Sequence, residues 1–201
     1  MKALILIALL CASAVSAEPI KIRVLQIDGP NAMSEAQVSG LMRVVSQELH
    51  RIGINAMISE VAIVPDPAPE TATLEAKSQR FASLFKIYGL ASNEYTIVID
   101  RPLTFGGAYY LSGAAKTICA AKGRRFAVSN AEVFNSDREP RSVVSATAAI
   151  HELMHLFGAR HQSRTCNVMH PDALRCQIAA GNKPLATLAT TRREIKACLG
   201  L

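Results

Sequence analysis

The chain has 201 residues, of which 50% are hydrophobic and 19% charged, and it carries a formal charge of +6. That composition supports one compact domain with a sizeable core and leaves too little sequence for two ordinary ones. Eleven Gly and nine Pro exclude a collagen-like or low-complexity polymer, while the modest positive charge permits an anionic partner without requiring one.

Residues 1–17 read as an export signal rather than as part of the fold. Lys2 supplies a positive start, Ala3 to Leu10 an apolar run, and Val15-Ser16-Ala17 a small-residue cleavage site. The apolar run is too short to span a bilayer, and no later stretch is long enough. Leu10, ahead of Cys11, is not the small residue that a lipid-attachment signal needs. Cleavage after Ala17 is therefore expected, with a secreted or periplasmic protein as the product. Cys119, Cys166, Cys176 and Cys198 remain, and an even count in an exported chain reads as two disulfides with three possible pairings.

Ile20 to Ile27 alternates apolar with basic or polar residues, the period of a strand. A turn at Asp28-Gly29-Pro30-Asn31 follows. Ser34 then caps a helix reaching about Arg51, with Val38, Leu41, Met42, Val45 and Leu49 on one stripe and Gly53 as its stop. Ile54 to Val64 reads as a second strand, closed by the proline-rich run from Pro65 to Pro69. Leu74 to Tyr88 has the pattern of an amphipathic helix ending at Gly89, and Tyr95 to Ile99 that of a strand buried on both faces. The stretch from Asp100 to Gly123, punctuated by Gly106, Gly107 and Gly113, fits loop or strand edge equally. Phe126 to Ser129 is a further strand. Val143 to Phe157 is a strong helix with Ser142 as its expected cap, and a last helix runs from about Leu188 to Leu199. Elements in this order imply an α/β layer covered by helices.

Residues 151–161 read His-Glu-Leu-Met-His-Leu-Phe-Gly-Ala-Arg-His. His151 and His155 stand four apart on the predicted helix, so their imidazoles leave one face and can share a metal ion. Gly158 lies where a helix commonly ends in a left-handed residue, and a turn there brings His161 back to the same ion. Three protein ligands leave one position of a zinc tetrahedron open for water, as in a catalytic site. Glu152 is expected beside that position, where its carboxylate can take a proton from a zinc-bound water and pass it to a leaving amine. The chemistry is hydrolysis of a peptide bond. Five fixed identities in eleven positions arise by chance roughly once in 20 to the fifth windows, so coincidence carries no weight here.

This stretch resembles the long zinc signature of the metzincin metallopeptidases, HExxHxxGxxH, and matches it without a departure. The family also has a Met-containing turn beneath the metal, and Cys166-Asn167-Val168-Met169-His170-Pro171 is similar to it. Met169 lies eight residues after His161, a spacing like that of the matrixins, and the resemblance implies that it forms a hydrophobic base under the imidazoles rather than a ligand. His170 stands where matrixins usually carry Tyr. The resemblance implies one catalytic Zn2+ held by His151, His155 and His161. It implies a twisted mixed sheet with helices and the zinc helix in an N-terminal subdomain (18–158), and a small C-terminal subdomain (159–201) ending in a helix. The substrate cleft would lie between them. Within that frame the expected disulfides are Cys166 with Cys176, around the Met turn, and Cys119 with Cys198, tying the last helix to the first subdomain. Phe126 to Ser129, or the Gly-rich stretch before it, is the expected edge strand for pairing with a peptide.

The basic runs Lys122 to Arg125 and Arg192-Arg193 lack the interleaved aromatics of a nucleic-acid binder and read as solvated surface. Asp100 and Asp137 are the candidate loop ligands for calcium, but neither has EF-hand spacing, so Ca2+ is unsupported. Two function classes remain. One is a secreted, monomeric zinc endopeptidase acting on peptides or proteins; the other is an exported, zinc-stabilised binding or adhesion module without activity. Glu152 favours the enzyme, because a structural zinc site needs no general base.

Overall fold

The computed structural model describes residues 18–29, 32–66, 80, 82–89, 94–100, 104–105, 108–109, 125–130, 141–173, 176, 179–181, 183 and 185–201. The elements in chain order are β1 (Ile20–Ile27), α1 (Glu35–Arg51), β2 (Ala56–Val64), a π-helical turn (Phe85–Gly89), β3 (Tyr95–Asp100), β4 (Thr104–Phe105), β5 (Ala108–Tyr109), β6 (Phe126–Asn130), α2 (Arg141–Leu156) and α3 (Ala189–Leu199). The export segment, residues 74–79 of the predicted second helix, Cys119, Asp137 and the basic residues 122–124 lie outside the described residues.

α1 follows directly from its sequence. Ser34 and Gln37 form a reciprocal capping box, the Ser34 hydroxyl accepting from the Gln37 N–H and the Gln37 side chain accepting from the Ser34 N–H. The five stripe residues named above are all buried. At the far end Gly53 adopts φ 83°, its N–H donating to His50 O while the N–H of Ile54 donates to Leu49 O. These are the two bonds of a Schellman motif, and the buried pair Leu49 and Ile54 supplies its hydrophobic contact. Ile54 is spent on that closure, so β2 begins two residues later than expected, at Ala56.

The four main strands form a sheet in the order β2-β1-β3-β6, parallel in every described pairing, and β4 with β5 make a separate antiparallel ribbon. This is the α/β class that the sequence implies. β3 is buried along its whole length. Ile97 and Ile99 face the cluster that holds α1 and α2, and Val98 faces a second cluster with Leu84, Phe85 and Tyr88. β1 exceeds its sequence pattern: its second half is buried on both faces, including Gln26, whose amide donates to Ile27 O and Ile99 O. Fully burying each large apolar side chain contributes about 1.5–3 kcal/mol, so these two layers dominate the stability of the domain.

α2 begins at Arg141, so Ser142 lies inside the helix and is not its cap, a correction to the sequence reading. Asp100 is also corrected. It ends β3 rather than lying in a loop, and its buried carboxylate receives two hydrogen bonds from the Arg80 guanidinium, which Asp66 also contacts. Those partners hold Arg80 charged. α3 starts after Leu188 without a side-chain cap and docks through Thr191 and Ile195, the latter reaching the main core. No described helix is long and apolar enough to cross a membrane.

Candidate metal centre

His151 and His155 project one turn apart from α2, and the chain turns sharply just beyond them. Gly158 has φ 90°, its N–H donating to His155 O while the Ala159 N–H donates to Met154 O. This is a second Schellman motif, closed by the buried pair Met154 and Ala159. A β-carbon at Gly158 would strain that left-handed backbone. The returning chain is then pinned on both sides of His161. The Arg160 N–H donates to the Glu194 carboxylate of α3, and the Gln162 N–H donates to Met169 O.

The three imidazoles converge. Their Nε2 atoms are 3.0, 3.1 and 3.2 Å apart, His155 to His161, His155 to His151 and His151 to His161 respectively. Nitrogens at zinc-bonding distance from one tetrahedral centre would be about 3.3 Å apart, so the triangle fits a single zinc ion. The opposite ring edges explain the protonation. His151 Nδ1 donates to Val168 O at 2.7 Å and His155 Nδ1 to Ala159 O at 2.8 Å. A carbonyl can only accept, so the proton of each neutral ring sits on Nδ1 and the Nε2 lone pair faces inward. Lone pairs crowded at these distances repel unless a cation lies among them. Burial, reinforced by His155, pushes His151 down to about 4. His155 is lowered by burial and His161, and His161 by burial and His170. All three therefore favour the neutral, ligating form.

Glu152 follows His151 on α2, about 100° around the helix, and is buried at 2% exposure. Met169 is fully buried in the core cluster that contains Leu153 and Met154. Cys166 and Cys176 are joined by a disulfide, the pair expected from the sequence. Cys198 is also disulfide-bonded, and its expected partner Cys119 lies outside the described residues.

Sequence reasoning passed over the residues that hold the ligands in place. The carbonyls of Val168 and Ala159 carry no side-chain signal at all. Asn167 is completely buried and works as a hub: its amide donates to Gln162 O and Thr165 O, and its Oδ1 accepts from Met169 N. An Asn inside the Cys-to-Met segment was the one available clue, since a buried amide there must satisfy several backbone groups.

No protein-family model and no curated protein sequence matches the chain. Its structure, however, is similar to solved ones. Archaemetzincin from Methanopyrus kandleri matches with a TM-score of 0.64 at 18% identity, over 94% of this chain and 99% of that one. Metalloproteinase-II from Bacteroides fragilis matches with a TM-score of 0.55 at 16% identity, over 90% of this chain but 53% of that one, so this chain spans about half its length. A zinc-dependent peptidase from Methanocorpusculum labreanum matches with a TM-score of 0.51 at 16% identity, over 87% of this chain and 99% of that one. At these identities the likeness is one of fold. The chain has a metzincin-like α/β fold shared with known zinc-dependent peptidases, and its three-histidine cluster fits a zinc site.

Proposed function

We propose that the protein is a zinc-dependent endopeptidase, exported by its first 17 residues, cleaved after Ala17 and acting as a monomer outside the cytoplasm. The observation that carries the reading is the convergence of three Nε2 lone pairs, two of them fixed by carbonyl-held Nδ1 protons, on the helix that bears Glu152. His151, His155 and His161 would hold one zinc, which supplies polarisation of the scissile carbonyl and acidification of the attacking water.

The chain does the rest. Glu152 takes the proton of the attacking water onto its carboxylate and returns it to the amide nitrogen as the C–N bond breaks, so the proton count balances over the cycle. Val168 O and Ala159 O keep the two helical imidazoles in the ligating tautomer. Met169 serves as the apolar floor of the Met turn. The substrate lies between the subdomains 18–158 and 159–201, with β6 as the strand available for pairing; it is the outermost strand of the described sheet on the side away from β2.

The test is Glu152→Gln, which keeps the side chain's size and removes its basicity. Zinc content and fold should stay unchanged while cleavage of a mixed peptide pool falls roughly 10²–10⁴-fold. Wild-type activity should be lost to a chelator and return with added zinc. Equal rates for the two zinc-loaded proteins would sink the mechanism. No cleavage by either, across a broad pool, is the result expected of a zinc-stabilised binding module.

A further inference from the structure

A fourth imidazole stands beside the three, and the reading above assigns it nothing. The Gln162 N–H to Met169 O bond sets the peptide linking His161 to Gln162 against the peptide linking Met169 to His170, so the two histidines flank one hydrogen bond. The bond from the Asn167 amide to Gln162 O locks the same two segments together. His170 is half-buried, its backbone N–H donating to Asn167 O.

Its ring is held the opposite way from those of His151 and His155. His170 Nδ1 lies 3.0 Å from the backbone N–H of Asp172. An N–H can only donate, so Nδ1 is the acceptor and the neutral ring carries its proton on Nε2. His151 and His155 turn a lone pair toward the centre; His170 offers a donor. A ring in that tautomer, with Nδ1 already engaged, is built to bind an oxygen rather than a metal.

We propose that His170 is a substrate-binding residue whose Nε2–H donates a hydrogen bond to a carbonyl oxygen of the peptide lying beside His161. The inference rests on the peptidase reading and deepens it. It gives the turn after Met169 a direct part in holding substrate, and it makes Asp172, through its backbone N–H, the group that sets the donor's tautomer.

The experiment compares zinc-loaded wild type, His170→Phe and His170→Gln on a peptide that wild type cleaves. Phe keeps a flat ring without a donor, and Gln restores an N–H at similar reach. His170→Phe should lose roughly ten- to a hundredfold in kcat/KM, with His170→Gln recovering most of it. A phosphinic analogue of the same peptide should bind His170→Phe more weakly by a similar factor, a readout that needs no turnover. Zinc affinity, measured by competition with a chelating dye, should stay within about twofold for both variants. Wild-type efficiency in His170→Phe, failure of Gln to recover the loss, or a zinc affinity that falls in step with activity would each overturn the inference and leave the peptidase reading standing. A wild type that cleaves no peptide would overturn that reading, and the inference with it.

Discussion

The molecule from Ile20 to Phe157 and the segment from Gly158 to Leu188 are held by different forces. The first is layered burial: β1, β3 and β6 sandwiched between α1 with α2 on one face and Leu84, Phe85 and Tyr88 on the other. The second, in its described residues, depends on individually directed bonds. Asn167 binds three backbone groups, Cys166 is bridged to Cys176, Glu194 holds Arg160, and Val168 O holds His151. Burial is non-directional and sums over many residues, so it tolerates local change. Directed bonds tolerate little, and they are what places an imidazole to within a few tenths of an ångström. The layered region is thus a platform, and the segment after it is the part that sets the metal geometry.

Substitutions in the two regions should separate stability from metal binding. Leu49→Ala, which empties a buried site and removes the hydrophobic half of the α1 closure, should cost about 2–5 kcal/mol of global stability. Urea unfolding followed by circular dichroism would show it, with the zinc affinity of the folded protein unmoved. Replacing both Cys166 and Cys176 by Ser opens a short loop and should cost about 3 kcal/mol, this time with weaker zinc binding as well. A loss of stability without any loss of zinc affinity would show that the bridge does not support the site. Asn167→Ala should cost about 1–3 kcal/mol by stranding buried backbone groups, and it should lower zinc affinity roughly 10–100-fold through the loosened Val168 and Gln162 segments. Dye competition at fixed pH would measure that. The smallest effect belongs to Ser34→Ala, about 1 kcal/mol from the lost cap and nothing at the metal. If Leu49→Ala disturbed zinc binding more than Asn167→Ala, the division into platform and metal-setting segment would be wrong.

The elements that periodicity exposes were the readable ones. The α1 stripe, the doubly buried β3 and the start of β1 follow from the spacing of apolar residues, because each such residue reports its own burial. Reading failed where backbone bonding decides. Ile54 looks like the first residue of a strand but closes a Schellman turn, and Ser142 looks like a cap but lies within α2. Asp100 looks like a loop carboxylate, yet it is paired to Arg80, which lies 20 residues earlier in the chain. The site divides in the same way. His151, Glu152, His155, Gly158 and His161 stand out because metal chemistry and helix geometry dictate their types and intervals. Asn167 and the two carbonyls do not stand out, because any sequence supplies carbonyls and a lone Asn has many uses.

Residue type and spacing alone dictate which atoms can meet at the metal centre. A four-residue interval on a helix and a glycine one turn later put three imidazoles within reach of one point, where the directed bonds of the following segment hold them. How those rings are turned depends on the folded chain around them. The inward lone pairs of His151 and His155 and the Nε2 proton of His170 are set by single hydrogen bonds to Val168 O, Ala159 O and the Asp172 N–H. Those partners are backbone groups, identical at every position of the chain, and only the folded path brings a particular one within reach of a particular ring.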